Sequence, residues 1–203
     1  MLAAVAAVSA AADGASSTGT LQAGDLVFRR GTESVSALVL AVDGGRFSHV
    51  GMVMGRPGDW KVLHATPSEV PGQPDGVALD SMAFFLDATR STDHAFYAVH
   101  ATPRQRDAAV RHALDVRGMP FRVGDASGTY CTLLVWDAWR RGGVDLDVRF
   151  SRVALPLMQG DYLLPSQLRL SSRLRPLPRH AADTSGAPVA ATAVQGARRL
   201  ERR

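Results

Sequence analysis

Cysteine is nearly absent from this chain, which has one, Cys131, among 203 residues. A single cysteine excludes an intramolecular disulfide framework and a structural zinc site built from paired cysteines. No apolar run approaches the roughly 20 residues that a membrane-spanning helix needs. A phosphate-cradling glycine loop and a Gly-x-Ser-x-Gly nucleophile motif are also missing. What is present, 46% hydrophobic and 21% charged residues, is typical of a globular domain.

Lysine is equally rare, because Lys61 is the one lysine among 23 basic residues, and the net charge is +4. Five arginines stand after Leu177, against two acidic residues, so the rest of the chain is close to neutral: Arg179, Arg198, Arg199, Arg202 and Arg203. A basic tail of this kind is typical of a solvated segment. Because no basic stripe is interleaved with aromatic residues, we predict no nucleic-acid partner.

Composition divides the chain into three parts. Residues 1–20 are an Ala-rich lead that resembles the apolar part of a signal peptide, without the positively charged start. Residues 21–177 form the predicted folded domain, and residues 178–203 a disordered basic tail. The lead slightly favours the cell envelope or periplasm over the cytoplasm.

The folded part alternates short strand-like and helix-like segments. Alternating apolar residues predict strands near 23–28, 48–54, 60–65, 76–80, 95–100 and 173–177. Apolar residues at helical spacing, with Thr102-Pro103 as a helix start, predict helices over 34–42, 102–117 and 130–141. Short helical turns are expected at 81–86 and 163–168, and a loop over 148–159. Without regular strand–helix alternation, the fold class is α+β.

Cys131 opens the third long helix, which makes it a candidate nucleophile. A helix N-terminus offers free N–H groups and a partial positive charge, which favour the thiolate and line an oxyanion hole. The alternative is that Cys131 is a small buried apolar residue, the commoner fate of a lone cysteine.

Two histidines on neighbouring predicted strands are candidates for the base and its partner. His49 lies within a strand, where a general base is rigidly aimed, and Gly51 beside it leaves room for a close approach. His64 lies on the next strand, almost symmetrically across the turn near Gly58, so it could fix the tautomer of His49. The alternatives are a core-edge histidine for His49 and an exposed strand histidine for His64.

A metal site is the competing use of these side chains. His49, His64 and Cys131 could together form a three-ligand catalytic zinc site. Because the chain has no Cys-x-x-Cys and no His-x-x-x-His spacing, we predict neither a metal nor another cofactor.

Four segments, in this order, resemble the YiiX/YebB-like cysteine hydrolases, which are circularly permuted relatives of the NlpC-type papain-fold peptidases. The segments are Gly24-Asp25-Leu26-Val27-Phe28, Phe47-Ser48-His49-Val50-Gly51-Met52-Val53, Val62-Leu63-His64-Ala65 and Tyr130-Cys131-Thr132-Leu133-Leu134-Val135. The stretch Leu164-Pro165-Ser166-Gln167-Leu168 through Leu174 is similar to that family's C-terminal segment. The resemblance covers residues 21–177.

The resemblance implies a permuted papain-like α+β fold, in which an antiparallel sheet packs against the helix bearing the cysteine. Carried over by position, Cys131 is the nucleophile, His49 the base and His64 the third polar residue. The candidate substrate contacts are the neighbours of these residues: Tyr130, Ser48, Gly51 and Thr132. Relatives often have serine and glutamate where this chain has Thr132 and Leu133, a departure that bears on the substrate.

The function implied is hydrolysis of an amide bond, in a cell-wall peptide or an amide-linked lipid, through an acyl-enzyme on Cys131. Two alternatives stay open: a thiol-dependent lipid acyltransferase or phospholipase, and a non-catalytic binding module on the same fold. The expected partner is a small peptide or lipid-like substrate. A peripheral association with a membrane or the cell envelope stays open, as does the oligomeric state.

Overall fold

The computed structural model describes residues 19–155 and 158–182. Most of the predicted lead and of the predicted basic tail therefore lies outside the described residues. The strands are β1 (Leu26–Gly31), β2 (His49–Arg56), β3 (Asp59–Thr66), β4 (Gly76–Ser81), β5 (Ser91–Val99), β6 (Ser151–Leu155), β7 (Met158–Tyr162) and β8 (Leu174–Pro176). The helices are α1 (Ser34–Asp43), α2 (Met82–Phe85), α3 (Pro103–Asp115), α4 (Cys131–Arg141) and α5 (Pro165–Arg169).

Six of these strands form one antiparallel sheet, in the order β4-β3-β2-β1-β5-β8. The predicted strands and the three predicted long helices are present, and the α+β class is confirmed. The predicted loop over 148–159 is wrong at 151–155 and 158–159, where β6 and β7 pair as a separate antiparallel hairpin. In the sequence, Pro156 stands between these two strands, and a proline usually argues against a strand.

The sheet carries an apolar core on each face. On one face, α3 and α4 cover a core that includes Val50, Met52 and Trp139. On the other face, α2 and the flanking segments cover a smaller core around Val53, Val62 and Phe85. Successive residues of β2 thus point to opposite faces, as the alternating pattern of its sequence predicts.

The hairpin between β2 and β3 sets the position of the two histidines. Met52 pairs with Leu63 and Arg56 with Asp59. Continued one residue further, this register places His64 opposite Gly51, two positions from His49 and on the same face. The two histidines are therefore diagonal neighbours, within reach of each other's rings, which is close to the near-opposite placement predicted from the turn.

Helix α3 begins as its sequence predicts. The Thr102 hydroxyl accepts a hydrogen bond from the Gln105 N–H at 3.3 Å, and the Gln105 side chain accepts one from the Thr102 N–H at 3.0 Å. This capping box, followed by Pro103, fixes the helix start. None of the helices in the part of the chain that the structure describes is long and apolar enough to cross a membrane.

Candidate active site

Cys131 is the first residue of α4, and Tyr130 before it is extended, with φ −132° and ψ 169°. The helix is held against the sheet by apolar residues on one side: Leu134, Val135, Ala138 and Trp139. The Cys131 side chain lies where α4 meets β2, at the edge of the larger core, and the residue keeps part of its surface exposed. This is the position that the sequence predicted for the thiol.

His49 begins β2 and is 8% exposed. Its ring stacks on Phe85, with 5.6 Å between centroids and 30° between planes. His49 Nε2 lies 2.8 Å from Nδ1 of His64. The sequence predicted that His64 would orient His49, and this hydrogen bond provides the contact for that role.

His64 is completely buried, and its second nitrogen is also engaged. Nε2 of His64 lies 2.9 Å from Oδ2 of Asp80 on β4. A carboxylate only accepts hydrogen bonds, so Nε2 of His64 carries the proton and donates it. Nδ1 of His64 then accepts from Nε2–H of His49, which leaves Nδ1 of His49 unprotonated. The hydrogen-bond pattern of this His–His–Asp triplet (His49, His64 and Asp80) therefore assigns His49 the tautomer that a base at Nδ1 requires.

The surroundings of His49 keep it neutral. Burial lowers its pKa well below the usual value, and the positive charge of Arg29 lowers it further. A general base must be unprotonated when the reaction begins. Because the His49 imidazole stays unprotonated into the acidic range, it is available there to take the thiol proton.

Burial has the opposite effect on the thiol, since it raises the pKa of Cys131 to about 11. Hydrogen bonding by the backbone N–H groups of Val50, Thr132 and Cys131 itself lowers that pKa, by less than burial raises it. The sequence argument expected the helix N-terminus to favour the thiolate. The N–H groups act in that direction, but burial outweighs them, so the resting pair is a neutral thiol and a neutral imidazole.

Arg29, which neighbours His49, is the centre of an ion-pair cluster. Its guanidinium is 1% exposed and lies 2.6 Å from Oε1 of Glu33 and 2.6 Å from Oε1 of Glu69. It also donates to the Phe85 carbonyl at 3.0 Å and stacks over the Phe85 ring at 4.5 Å. Such a buried cation is compatible with folding because both carboxylates compensate it.

Cys131 and His49 line one cavity at the end of the sheet. No hydrogen bond among the described residues joins the two side chains or engages Nδ1 of His49. Catalytic hydrogen bonds are often long before substrate binds and tighten in the complex. Of the predicted substrate contacts, Ser48, Tyr130 and Thr132 also line this cavity.

Tyr130 and Thr132 both hydrogen bond to the backbone of Leu163, a structural role that the sequence did not predict. The Tyr130 hydroxyl accepts a hydrogen bond from the Leu163 N–H at 3.0 Å, and the Thr132 hydroxyl donates to the Leu163 carbonyl at 2.6 Å. Together they fix the segment Tyr162–Pro165, which forms one wall of the cavity. Burial raises the pKa of Tyr130 to about 12, so the phenol stays protonated.

Gly51 does not line the cavity, and the structure gives it a packing role in place of the predicted substrate contact. A Cβ at this position would lie 2.2 Å from Cγ1 of Val62 and 3.2 Å from Cβ of His64. Gly51 therefore makes room for the β3 side chains, His64 among them. Leu133, the departure from the family pattern, is half-buried and does not line the cavity either.

The donors in this region do not fit a metal ion. His49, His64 and Glu69 offer ligand atoms within 4.8 Å of one another, a group that does not include Cys131. Three of the four ring nitrogens already take part in the His–His–Asp triplet, and Glu69 Oε1 is paired with the Arg29 guanidinium. A divalent cation here would face a fixed positive charge and compete with these bonds.

Sequence reasoning missed Asp80, Arg29 and Glu69. Asp80 could have been found from the predicted third strand, because pairing β3 with β4 sets Val62 opposite Asp80 and His64 opposite Ala78. Arg29 and Glu69 gave no such signal, since their pairing spans 40 residues and depends on how the loop after β3 folds back.

Comparison with known proteins places the chain in a family. A solved structure described as the metalloprotein YiiX from Escherichia coli O157:H7, DUF1105, is similar with a TM-score of 0.64 and 15% sequence identity, over 77% of this chain and 96% of that chain. This likeness shows the fold. No match is found among the curated proteins. Residues 20–159 match the family described as "Permuted papain-like amidase enzyme, YaeF/YiiX, C92 family". The chain therefore belongs to the permuted papain-like amidases of the YaeF/YiiX (C92) family, which confirms the predicted fold and the cysteine hydrolase class of enzyme.

Proposed function

We propose that this protein hydrolyses amide bonds through an acyl-enzyme on Cys131, with His49 as the general base and His64 and Asp80 as positioning residues. The observation that carries the proposal is the His–His–Asp triplet, which holds His49 in the tautomer with a free Nδ1 beside the cavity that contains the thiol. Family membership supports the amidase class. The residue roles are our assignment.

Because the Cys131 thiol and the His49 imidazole are both neutral at rest, the proton is transferred while the sulfur attacks. As the sulfur attacks the amide carbonyl carbon, Nδ1 of His49 takes the thiol proton, so the thiolate never has to exist free. The C–N bond then breaks, and His49 returns the proton to the leaving amine. Water, deprotonated by His49, attacks the thioester, and the products are the carboxylic acid and the free thiol.

Backbone N–H groups around the sulfur stabilise the negative charge that develops during the attack on the amide. Those of Val50, Cys131 and Thr132 are close enough to the thiol to lower its pKa. They come from the start of β2 and the first turn of α4, so they are fixed by two packed elements. We assign the negative charge that develops on the carbonyl oxygen to N–H groups of this set.

The related YiiX structure is described as a metalloprotein. In this chain three of the four ring nitrogens of His49 and His64 take part in the His–His–Asp triplet, and Glu69 Oε1 is paired with the Arg29 guanidinium, so we propose a reaction in which no step uses a metal. Incubation with a chelator, followed by buffer exchange, is expected to leave the Cys131-dependent activity unchanged. A loss of activity that zinc restores would overturn this part of the proposal.

A panel of fluorogenic acyl amides and esters tests the function. The wild-type chain should cleave at least one amide, while Cys131→Ser and His49→Gln should lose that cleavage, and the exposed-histidine control His100→Gln should keep it. Cleavage that persists in Cys131→Ser contradicts the proposal. If the acyl group passes to an added amine or alcohol faster than to water, acyl transfer replaces hydrolysis. If nothing is cleaved, the binding-module reading replaces both.

A further inference from the structure

Phe85, the last residue of α2, is fully buried and packs against both histidines of the His–His–Asp triplet. Its ring stacks on the His49 imidazole and lies edge to face with the His64 imidazole, with 4.9 Å between centroids and 82° between planes. The two imidazoles are themselves nearly perpendicular, with 5.0 Å between centroids. Phe85 therefore occupies the space beside both imidazoles, and in a closely packed interior this limits how either can rotate.

Arg29 holds Phe85 in this place at two points. The guanidinium lies over the Phe85 ring, with 4.5 Å between Cζ and the ring centroid, and Nη1 donates to the Phe85 carbonyl at 3.0 Å. A cation over an aromatic face is attracted by the ring, more strongly where water is excluded. Glu33 and Glu69 fix the guanidinium in turn. The position of the Phe85 ring thus depends on a charged cluster as well as on apolar packing.

The segment 80–85 makes two separate contacts with the triplet. Asp80 accepts the hydrogen bond from His64 at 2.9 Å. Ser81 then caps α2, because its hydroxyl accepts from the Phe84 N–H at 3.1 Å. Since α2 is a single turn of four residues, the cap fixes where Phe85 lies relative to Asp80. One short segment therefore holds the outer nitrogen of His64 and packs against both imidazole rings.

We propose that Phe85 is a positioning residue for the general base: its ring holds the His49 imidazole with Nδ1 beside the cavity that contains the thiol, and it excludes water from the hydrogen bond between His49 and His64. This inference rests on the proposed function, which makes His49 the base. An apolar ring suits the task, because it offers no acceptor that could compete with His64 for the Nε2–H proton of His49.

The pKa of His49 gives a readout of this role. The charged and titratable groups around His49 come from β1, β3, α4 and the segments that flank them: Arg29, Glu33, His64, Glu69, Tyr130 and Cys131. Burial is the largest cause of the lowered pKa of His49, ahead of the charge of Arg29. Because Phe85 supplies part of that burial, loss of its ring should raise the pKa of His49 toward 6.5 while the charged groups stay in the sequence.

Titration of His49 by NMR in the full-length chain tests the inference without a substrate. Phe85→Leu should raise the pKa of His49 by about one unit or more, and the ¹⁵N shifts of its ring should move toward a mixture of tautomers. Phe96→Leu is the matched control. Phe96 is 1% exposed in the same apolar core, and no ring contact joins it to His49 or His64 in the described part of the chain. It should leave both readouts unchanged.

A measurement on the wild-type chain decides the case in which Phe85→Leu does not fold. The ring protons of His49 should give nuclear Overhauser effects to the Phe85 ring. The Nε2–H proton of His49 should be visible at neutral pH, because a hydrogen bond shielded from water exchanges its proton slowly. A wild-type spectrum in which both signals are missing overturns the inference.

The outcomes are distinguishable from those of the amidase proposal. No change in Phe85→Leu, or equal changes in Phe85→Leu and Phe96→Leu, overturns the positioning role even where the wild-type protein cleaves amides. A change confined to Phe85→Leu supports the role even where no amide is cleaved and the amidase proposal itself falls. Where an amide is cleaved, kcat/KM of Phe85→Leu should fall about tenfold, mainly through kcat, with the acidic limb of its pH profile at higher pH.

Discussion

His49 and His64 share a hydrogen bond of 2.8 Å between Nε2 of the first ring and Nδ1 of the second. Because His64 donates from its other nitrogen to Asp80, a proton on Nε2 of His49 is the arrangement that satisfies both contacts. Nδ1 of His49 is thereby left as the acceptor. The identity of the base nitrogen thus depends on a carboxylate that does not touch His49, and this dependence gives the first prediction.

Replacing Asp80 by an amide should mis-set the tautomers of both histidines. An amide nitrogen donates, so Asp80→Asn allows His64 to accept at Nε2 and donate at Nδ1, which pushes the proton of His49 onto Nδ1. We expect kcat/KM to fall by about 10²-fold or more, with little change in KM. The tautomer is read from the ¹⁵N shifts of the two rings. Asp107→Asn, an exposed substitution on α3, is the control, and an equal loss in both variants would contradict the tautomer argument.

The pH profile should show a broad plateau. The reaction needs His49 unprotonated, and burial and Arg29 lower its pKa well below 6.5, so activity should persist into the acidic range. It also needs the thiol protonated at the start, and burial raises the pKa of Cys131 to about 11. The alkaline limb of kcat/KM should therefore lie far above the value near 8.5 of a free thiol. A narrow bell with limbs near 6.5 and 8.5 would show that burial does not control either group.

Arg29 should control both stability and the pKa of His49. Arg29→Gln removes the positive charge that lowers the pKa of His49, so the acidic limb of the profile should move to higher pH. It also leaves Glu69, whose side chain is 7% exposed, without its main partner, at a cost of about 3–5 kcal/mol in the free energy of unfolding.

The matched control for that substitution is Arg46→Gln. Arg46 pairs with Asp93 at 2.5 Å, but its side chain is 54% exposed. Loss of an exposed pair should cost less than about 1 kcal/mol in urea denaturation and leave the acidic limb in place. Equal losses of stability in the two variants would mean that the Arg29 cluster is no more important than a surface ion pair.

The hydroxyl of Tyr130 should contribute to the stability of the fold and to the shape of the cavity wall. Tyr130→Phe removes the acceptor for the Leu163 N–H and leaves that group unpaired, which should lower the free energy of unfolding by about 1–3 kcal/mol. Because Leu163 forms part of the cavity wall, KM should rise more than kcat falls. Tyr162→Phe is the comparison, since Tyr162 packs against Tyr130 with 6.1 Å between ring centroids and no hydrogen bond of its hydroxyl is found in the described part of the chain. Identical effects in both variants would contradict the assignment.

Much of the fold could be predicted from the sequence because its signals are local. Thr102-Pro103 marks the start of α3 through contacts within four residues, and the alternation around His49 assigns the faces of β2. The pairing of β6 with β7 was missed because each strand has five residues and Pro156 stands between them. A strand that short, beside a proline, gives no periodic signal that distinguishes it from a loop.

Residues of the candidate site could be predicted where they belong to the family motif or to one hairpin. Contacts between segments far apart in the sequence could not be predicted. Cys131, His49 and His64 fall into the first group. The state of the thiol does not follow from the helix N-terminus alone, because it depends on how much of the sulfur the fold buries. Glu69 pairs with Arg29 over a sequence separation of 40 residues, and no local sequence pattern predicts such a contact.

Formation of the acyl-enzyme is the most direct test of the central claim. The wild-type chain is mixed at pH 7 with an activated acyl ester, and the covalent product is followed by intact-protein mass spectrometry and located by peptide mapping. The account predicts one acyl group on Cys131, formed with saturation kinetics, and a rate about 10²-fold or more lower in His49→Ala. Acylation at another residue, or an undiminished rate in His49→Ala, would contradict it.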